Sequence, residues 1–305
     1  MSNIYTDSVL GNDTTGTGAI GAPYKTLDKS LTVATTNDTI LLVPQSTDYV
    51  MTPKTIPAGL TIKTTTSLVP DVINSVYARI NAGGAGPRWT LLGNITCENI
   101  YFYNWSSSSS DSFIWWNTAA GLSGIAQVIQ FTNCIIDTMA TSIGTAGRGG
   151  VIGNAASLTA PPQLSITINF DRSLIKNIKK YSSSQSAFIH TYGNLYTIRF
   201  RECTIYNPSG GNELNTFVAN YTGGSIPYFR NCIITSDETS PFTFCKGYWG
   251  LTEASTVEYC NYYRIDTTGA AITNSINSDP LFLDKANNDF RLQATSPSID
   301  AGVLV

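Results

Sequence analysis

One short phrase returns along this chain and limits the folds open to it. It reads Phe131-x-Asn133-Cys134-x-Ile136, then Phe170-x-Arg172-Ser173-x-Ile175, Phe200-x-Glu202-Cys203-x-Ile205 and Phe229-x-Asn231-Cys232-x-Ile234, with a weaker copy at Val257-x-Tyr259-Cys260-x-Tyr262. The central Cys or Ser positions are 39, 30, 29 and 28 residues apart. A β-rich unit recurring at that interval reads as one coil of a solenoid stacked on the next. Equivalent slots then lie about 4.8 Å apart, the spacing of paired strands. The aromatic, the Cys or Ser, and the residue two beyond it are expected to point inward. The gap of three from Phe to Cys breaks strict alternation, so a bend is expected there. Asn133 and Asn231 sit just before the Cys, where a left-handed conformation is tolerated.

The six cysteines are Cys97, Cys134, Cys203, Cys232, Cys245 and Cys260. Four of them share the central slot. Small, apolar thiols suit an internal column, so they are expected to be free and buried. No C-x-x-C pair exists and His190 is the only histidine, so no metal site is expected. Charged residues make up 13% of the chain, with a net charge of -3. That excludes a cationic nucleic-acid surface. Thr, Ser and Asn take the places usually held by Lys and Glu, which suits exposed strands and tight turns. No stretch reaches the roughly 18 apolar residues of a membrane span. The first residues have neither a basic n-region nor an apolar h-region, so no secretion signal is expected.

The expected order is a cap and first coils over residues 1–90, a central β-helix over 91–278, and a last coil with a closing segment over 279–305, all in one continuous domain. Residues 26–34 are predicted to form a short helix. Thr26 would be its N-cap, with Leu27, Leu31 and Ala34 on one face. Such a helix would cover strand edges at the open end of the stack. Strands are predicted over 38–44, 60–62, 76–80, 89–91, 95–97, 100–102, 166–168, 196–198 and 288–292. Three excursions, 104–124, 138–164 and 207–225, are side loops of the kind that often bind partners.

Two stretches carry a more specific resemblance. One is Gly11-Asn12-Asp13, Gly16-Thr17-Gly18, Pro23-Tyr24-Lys25-Thr26-Leu27 and Asp38-Thr39-Ile40. The other is Asp279-Pro280-Leu281-Phe282, Asn288-Asp289-Phe290-Arg291-Leu292 and Ser296-Pro297-Ser298-Ile299-Asp300. With the F-x-N-C-x-I phrases between them, the chain resembles an all-β, right-handed parallel β-helix of the pectin-lyase-like superfamily, including phage tailspikes and other virion β-helices. That resemblance implies a virion location, a homotrimer, other virion proteins as possible neighbours, and a host polysaccharide as ligand. It implies no cofactor. The superfamily holds lyases, hydrolases, epimerases and non-catalytic surface proteins, so the fold does not choose among them. The first reading is a non-enzymatic virion protein presenting its loops to glycan or to neighbouring subunits. The alternative is a polysaccharide depolymerase, either hydrolase or lyase.

Candidate site residues fall into two groups. Asp171, Arg201, Arg230 and Glu258 lie two residues before the central slot, with Thr132 in the earlier coil. They predict an outward stripe that reads first as a solvated ion-pair row and second as a hold for sugar acids. Glu202 with Asp171 is the candidate catalytic pair, since glycoside hydrolysis needs two carboxylates roughly 5–9.5 Å apart. A compact carboxylate cluster for calcium is missing, which speaks against a calcium-dependent lyase. His190, on an apparent strand, reads as structural. The glycine-rich stretches at 146–153 and 223–224 lack the ending of a phosphate loop and read as turns. The aromatic candidates for ligand binding are Trp105, Trp115, Trp116, Tyr248 and Trp249. Three roles stay open for them: packing, a subunit interface, or stacking on a sugar ring.

Overall fold

The computed structural model describes residues 1–65, 77–85, 89–106, 112–116, 126–141, 150–153, 165–180, 187–191, 195–207, 216–220, 226–237, 243–247 and 254–304. Within them the chain winds as a right-handed parallel β-helix. Its strands stack into parallel sheets of ten, eight and seven strands. In the coils between Ile95 and Gly247, a strand of the ten-strand sheet leads through a tight corner into the eight-strand sheet, and the chain returns through the seven-strand sheet.

The repeated phrase is that corner. Phe131, Phe170, Phe200 and Phe229 pair coil to coil in the ten-strand sheet. Their rings point inward and stack nearly parallel, with centroids 4.8, 5.0 and 4.7 Å apart. The next-but-one residue turns the chain. Asn99, Asn133, Arg172, Glu202, Asn231, Tyr259 and Asn274 all have φ between 48° and 57°. A left-handed residue at this point restores the inward direction for the Cys that follows, as the spacing predicts. Asn133 and Asn231 are there as expected.

The six thiols are free and buried, also as expected. The central slot is a hydrogen-bonding column as well as a packing column. The backbone N–H of Cys134 donates to the Ser173 hydroxyl (3.1 Å), that of Cys232 to the Cys260 sulfur (3.3 Å), and that of Cys260 to the Ser275 hydroxyl (3.0 Å). Each side chain also donates to the carbonyl two residues back, as from Cys203 to Arg201 and Ser173 to Asp171. The slot therefore needs a small group that both donates and accepts. Burial pushes the Cys134 thiol up to about 12, which keeps it a neutral donor.

The helix spans Leu27–Val33 with Thr26 as its N-cap, whose hydroxyl accepts from the Lys29 N–H at 3.1 Å. Leu27 and Leu31 are buried, and Ala34 packs against the core. Asp13 holds the start of the helix through Thr26 and the Lys25 N–H. Predicted strands are present at Thr39–Leu42, Leu60–Thr64, Trp89–Leu91 and Ile95–Glu98.

The closing segment differs from a further coil. Phe282–Asp284 and Asp289–Leu292 pair antiparallel and lie across the outside of the eight-strand sheet. There Phe282 and Phe290 pack on Ile135, Leu174 and Tyr206. The reason lies in the corner phrase. Ile135-Ile136, Leu174-Ile175 and Ile233-Ile234 are apolar doublets, so one residue enters the core and its neighbour faces outward. A sheet that is apolar on both faces has to be covered on both. The strap continues to Val303, which exchanges two hydrogen bonds with the Asn231 side chain, at 2.6 and 3.0 Å.

Candidate functional site

The outer face of the ten-strand sheet brings the predicted stripe together. Strand register places Lys63, Glu98, Thr132, Asp171, Arg201, Arg230 and Glu258 in one column across adjacent coils. A parallel column holds Gln130, Asn169, Arg199, Tyr228 and Thr256. At the edge of this face lies the left-handed corner with Arg172 and Glu202. Arg172, Arg199, Arg201 and Arg230 thus share one patch, out of nine arginines in the chain.

Asp171 is held from two sides. Arg201 forks onto both of its oxygens, at 2.6 and 2.8 Å, and Gln130 donates to it at 2.8 Å. The Arg201 guanidinium is held in its charged form by this hydrogen bonding. Glu202 is looser: its nearest ion-pair contact is Arg172 at 4.0 Å, and both side chains are about half exposed. Asp171, Arg172, Arg201 and Glu202 line a recess of about 180 Å³. Next to it, Tyr228 donates to Glu258 at 2.6 Å, and Arg230 lies over the Tyr259 ring, 5.6 Å from its centre. The predicted carboxylates are therefore neighbours, but one of them is already fully engaged.

The corner carries its own signal. Asparagine tolerates the left-handed region, whereas arginine and glutamate pay a conformational cost there. The asparagine run is linked side chain to side chain from Asn99 to Asn133, and Arg172 then donates to Asn133 at 3.0 Å. At the recess, two adjacent coils give up asparagine for Arg172 and Glu202. Strained conformations of this kind collect at functional sites.

The aromatic candidates divide. Trp105 is 1% exposed and packs edge-on against Phe113. It is a core residue, because its strand turns it into the coil beside Trp89 and Phe102, so it offers no face to a ligand. Trp115 and Trp116 lie on the strand Ile114–Trp116. Tyr248 and Trp249 are outside the described residues, as are most of the three excursions. Yet Ile114–Trp116, Gly150–Gly153 and Thr216–Asn220 fall inside the predicted side loops and are strands of the seven-strand sheet, so these stretches complete the coils, and Gly150–Gly153 is a strand rather than a turn. His190 is fully buried on Ala187–Thr191, in keeping with a structural role. Among the described residues, no group of His, Cys, Asp or Glu is placed to hold a metal ion, and no helix is long and apolar enough to cross a membrane.

A second polar cluster, under the strap, escaped the sequence reading. Lys176 and Asp137 form an ion pair of 2.9 Å with side chains 2% and 7% exposed. Asp137 also accepts from Tyr101 at 2.5 Å, Asn177 at 2.6 Å and Thr138 at 2.9 Å. Lys176 donates to the Asn288 amide oxygen on the strap. Burial alone would raise the Asp137 carboxyl, but the Lys176 ammonium and these hydrogen bonds hold it below the usual carboxylate range. The signal in the sequence was alternation: Asp137 and Lys176 occupy the outward positions next to the apolar doublets that the strap covers.

No family model matches the chain, and no curated protein is similar to it in sequence. Solved structures similar to it include the pectin methylesterase PemA from Erwinia chrysanthemi (9% identity, TM-score 0.45, covering 91% of this chain and 90% of that one). An alginate lyase from Paenibacillus sp. FPU-7 has 11% identity and a TM-score of 0.33, covering 90% and 95% of the two chains. A complex of XylC with xylose has 11% identity and a TM-score of 0.37, covering 92% and 70%. At these values no activity is carried over from them to this chain.

Proposed function

We propose that this protein binds an acidic polysaccharide along the outer face of its ten-strand sheet, across the coils from Thr132 to Glu258. The observation that carries this reading is the pair of strained corners, Arg172 and Glu202, set beside Arg199, Arg201 and Arg230 on one face of a charge-poor chain. Coils about 4.8 Å apart repeat the same outward positions along the axis, which suits a ligand that is itself a repeating chain. Arg199 is exposed, and Arg172 is half exposed with donors to spare. Tyr228 adds a partly covered ring with a polar edge, suited to an amphipathic sugar ring.

The test is binding of polyuronates and of neutral glycans by affinity electrophoresis and calorimetry. Polyuronate binding that weakens with salt is expected. Arg199→Ala is expected to weaken it at least about tenfold, since a hydrogen bond to a charged group is worth about 1.5–3 kcal/mol. Equal affinity of this variant and the parent chain would overturn the assignment of the face. Self-association along the flank, with a homotrimer first, belongs to the same reading and is read by sedimentation.

A second reading, glycan cleavage, is favoured by one observation: Glu202 stands in the recess without a tight partner, one coil from Asp171. Against it, the fork from Arg201 occupies the carboxylate that would have to serve as the partner acid or nucleophile. Release of reducing ends by the parent chain and its loss in Glu202→Gln would support cleavage. Absence of release across the glycans that bind would end it.

A further inference from the structure

We propose that Lys176 and Asn288 condense into an isopeptide bond that ties the closing strap covalently to the stack, with Asp137 as the proton carrier. Three observations meet here. Lys176 is a lysine with almost no solvent contact, a rare state for that side chain unless it is paired. Its amine faces two groups: the Asp137 carboxylate at 2.9 Å and the Asn288 amide oxygen. Packed close by are Phe282, Phe290, Tyr206 and Leu174, which lower the local dielectric.

An amine within hydrogen-bond reach of an amide oxygen is also near the amide carbon, and the step requires it to swing out of the amide plane to a near-attack separation of about 3–3.5 Å. Asn288 is held in the left-handed region at φ 65° between Lys285–Asn287 and the last strand, which fixes its position. The step runs from the minor neutral form of the pair. Lys176 passes a proton to Asp137, and the free Nζ attacks the Asn288 Cγ. The new Nζ–Cγ bond forms as the Cγ–Nδ2 bond breaks. The proton lost from Nζ goes to the departing nitrogen, which leaves as ammonia and takes the proton held by Asp137. Lysine, asparagine and carboxylate thus become a secondary amide, an ammonium ion and the same carboxylate, with no oxidant or cofactor. A reaction that happens once per molecule tolerates a rare reactive form.

Condensation replaces the buried ammonium with a neutral amide N–H, and the Asp137 carboxylate keeps its hydrogen bonds from Tyr101, Asn177 and Thr138. It also fixes a segment 112 residues away in sequence to the coil beneath it.

The experiment is mass spectrometry on the full chain after complete denaturation. The expected mass is that of the sequence less one ammonia, with a branched tryptic peptide joining the segments around Lys176 and Asn288. Lys176→Ala and Asp137→Ala are expected to restore the full mass. Asn288→Asp is expected to form the same link with loss of water instead. A full, unmodified mass in the folded parent chain overturns the proposal. So does a loss of ammonia that maps to a linear peptide, because a cyclised asparagine gives the same mass change. The parent measurement decides even where a variant fails to fold.

Discussion

The two sheets that meet at the Asn corner run through the same coils, from Ile95 to Tyr263, yet they treat the same kind of ion pair in opposite ways. On the ten-strand sheet, Asp171 and Arg201 face outward, with side chains 15% and 39% exposed. On the eight-strand sheet, Asp137 and Lys176 also face outward by strand parity, but the strap seals them at 7% and 2%. The pairing chemistry is similar, and only the cover differs. Buried, a pair has to be complete, because losing one partner leaves an uncompensated charge. Exposed, water screens each charge and the guanidinium remains available to a ligand.

The sharpest way to break this contrast is to remove the basic partner on each side. Lys176→Ala removes the buried partner and with it the proposed link, and is expected to cost at least about 3–5 kcal/mol, the loss of a buried partner alone. Arg201→Ala is expected to cost about 0.2–1 kcal/mol. Urea unfolding of the two variants at neutral pH measures both. Comparable losses would mean that the strap does not seal the pair.

The cover itself comes next. Phe290 is 3% exposed and stands against Tyr206 with ring centres 5.3 Å apart. Removing a buried phenylalanine costs about 3–5 kcal/mol. Here the expectation is the lower end, because the strap lies outside the main core. Hydrogen exchange should quicken in residues 279–304 of Phe290→Ala and stay slow in the stacked phenylalanine strands. Quickening throughout the stack would make the strap part of the fold's central cooperative unit.

Acid probes the same seal. The Asp137 carboxyl is held below its usual range in the folded chain, while an unfolded Asp titrates near pH 3.9. As pH falls, the unfolded state takes up the proton first. The contribution is therefore whole above about pH 4 and is lost as pH drops through the lower, folded value. Stability followed from pH 7 to pH 3 is expected to fall less steeply in Asp137→Asn, from a lower starting point. An unchanged slope would remove Asp137 from the acid response.

How much of this was legible follows from what repeats. The coil, the inward Phe and Cys columns and the left-handed corner recur at equivalent places, so one chain supplies several copies of the same evidence. The outer stripe could be read for the same reason, since two-residue alternation puts Asp171 and Arg201 outside. Three things lay beyond reach because each occurs once. Trp105 had packing among its open roles, and nothing in its Ser-rich sequence context chose packing until its strand was seen to continue inward. The strap looked like a last coil until the outward Ile135 and Leu174 needed a cover. The Lys176 pair depends on Asn288, far along the chain, and no spacing rule links them.

The smallest expected effect bears most directly on function. Arg172 and Glu202 occupy corner positions where Asn133 and Asn231 sit in the neighbouring coils. Arg172→Asn would extend the asparagine run by one coil and relieve a left-handed arginine. If the corner were selected for stability alone, asparagine would be the residue there. The variant is thus expected to be more stable by about 1 kcal/mol or less, while binding acidic glycan more weakly than the parent chain. Thermal unfolding and affinity electrophoresis on the same sample read both sides. A more stable variant with unchanged binding would leave the strain at Arg172 without a ligand to explain it. A less stable one would show that the hydrogen bond from Arg172 to Asn133 outweighs the backbone cost, and the corner would then carry no functional signal.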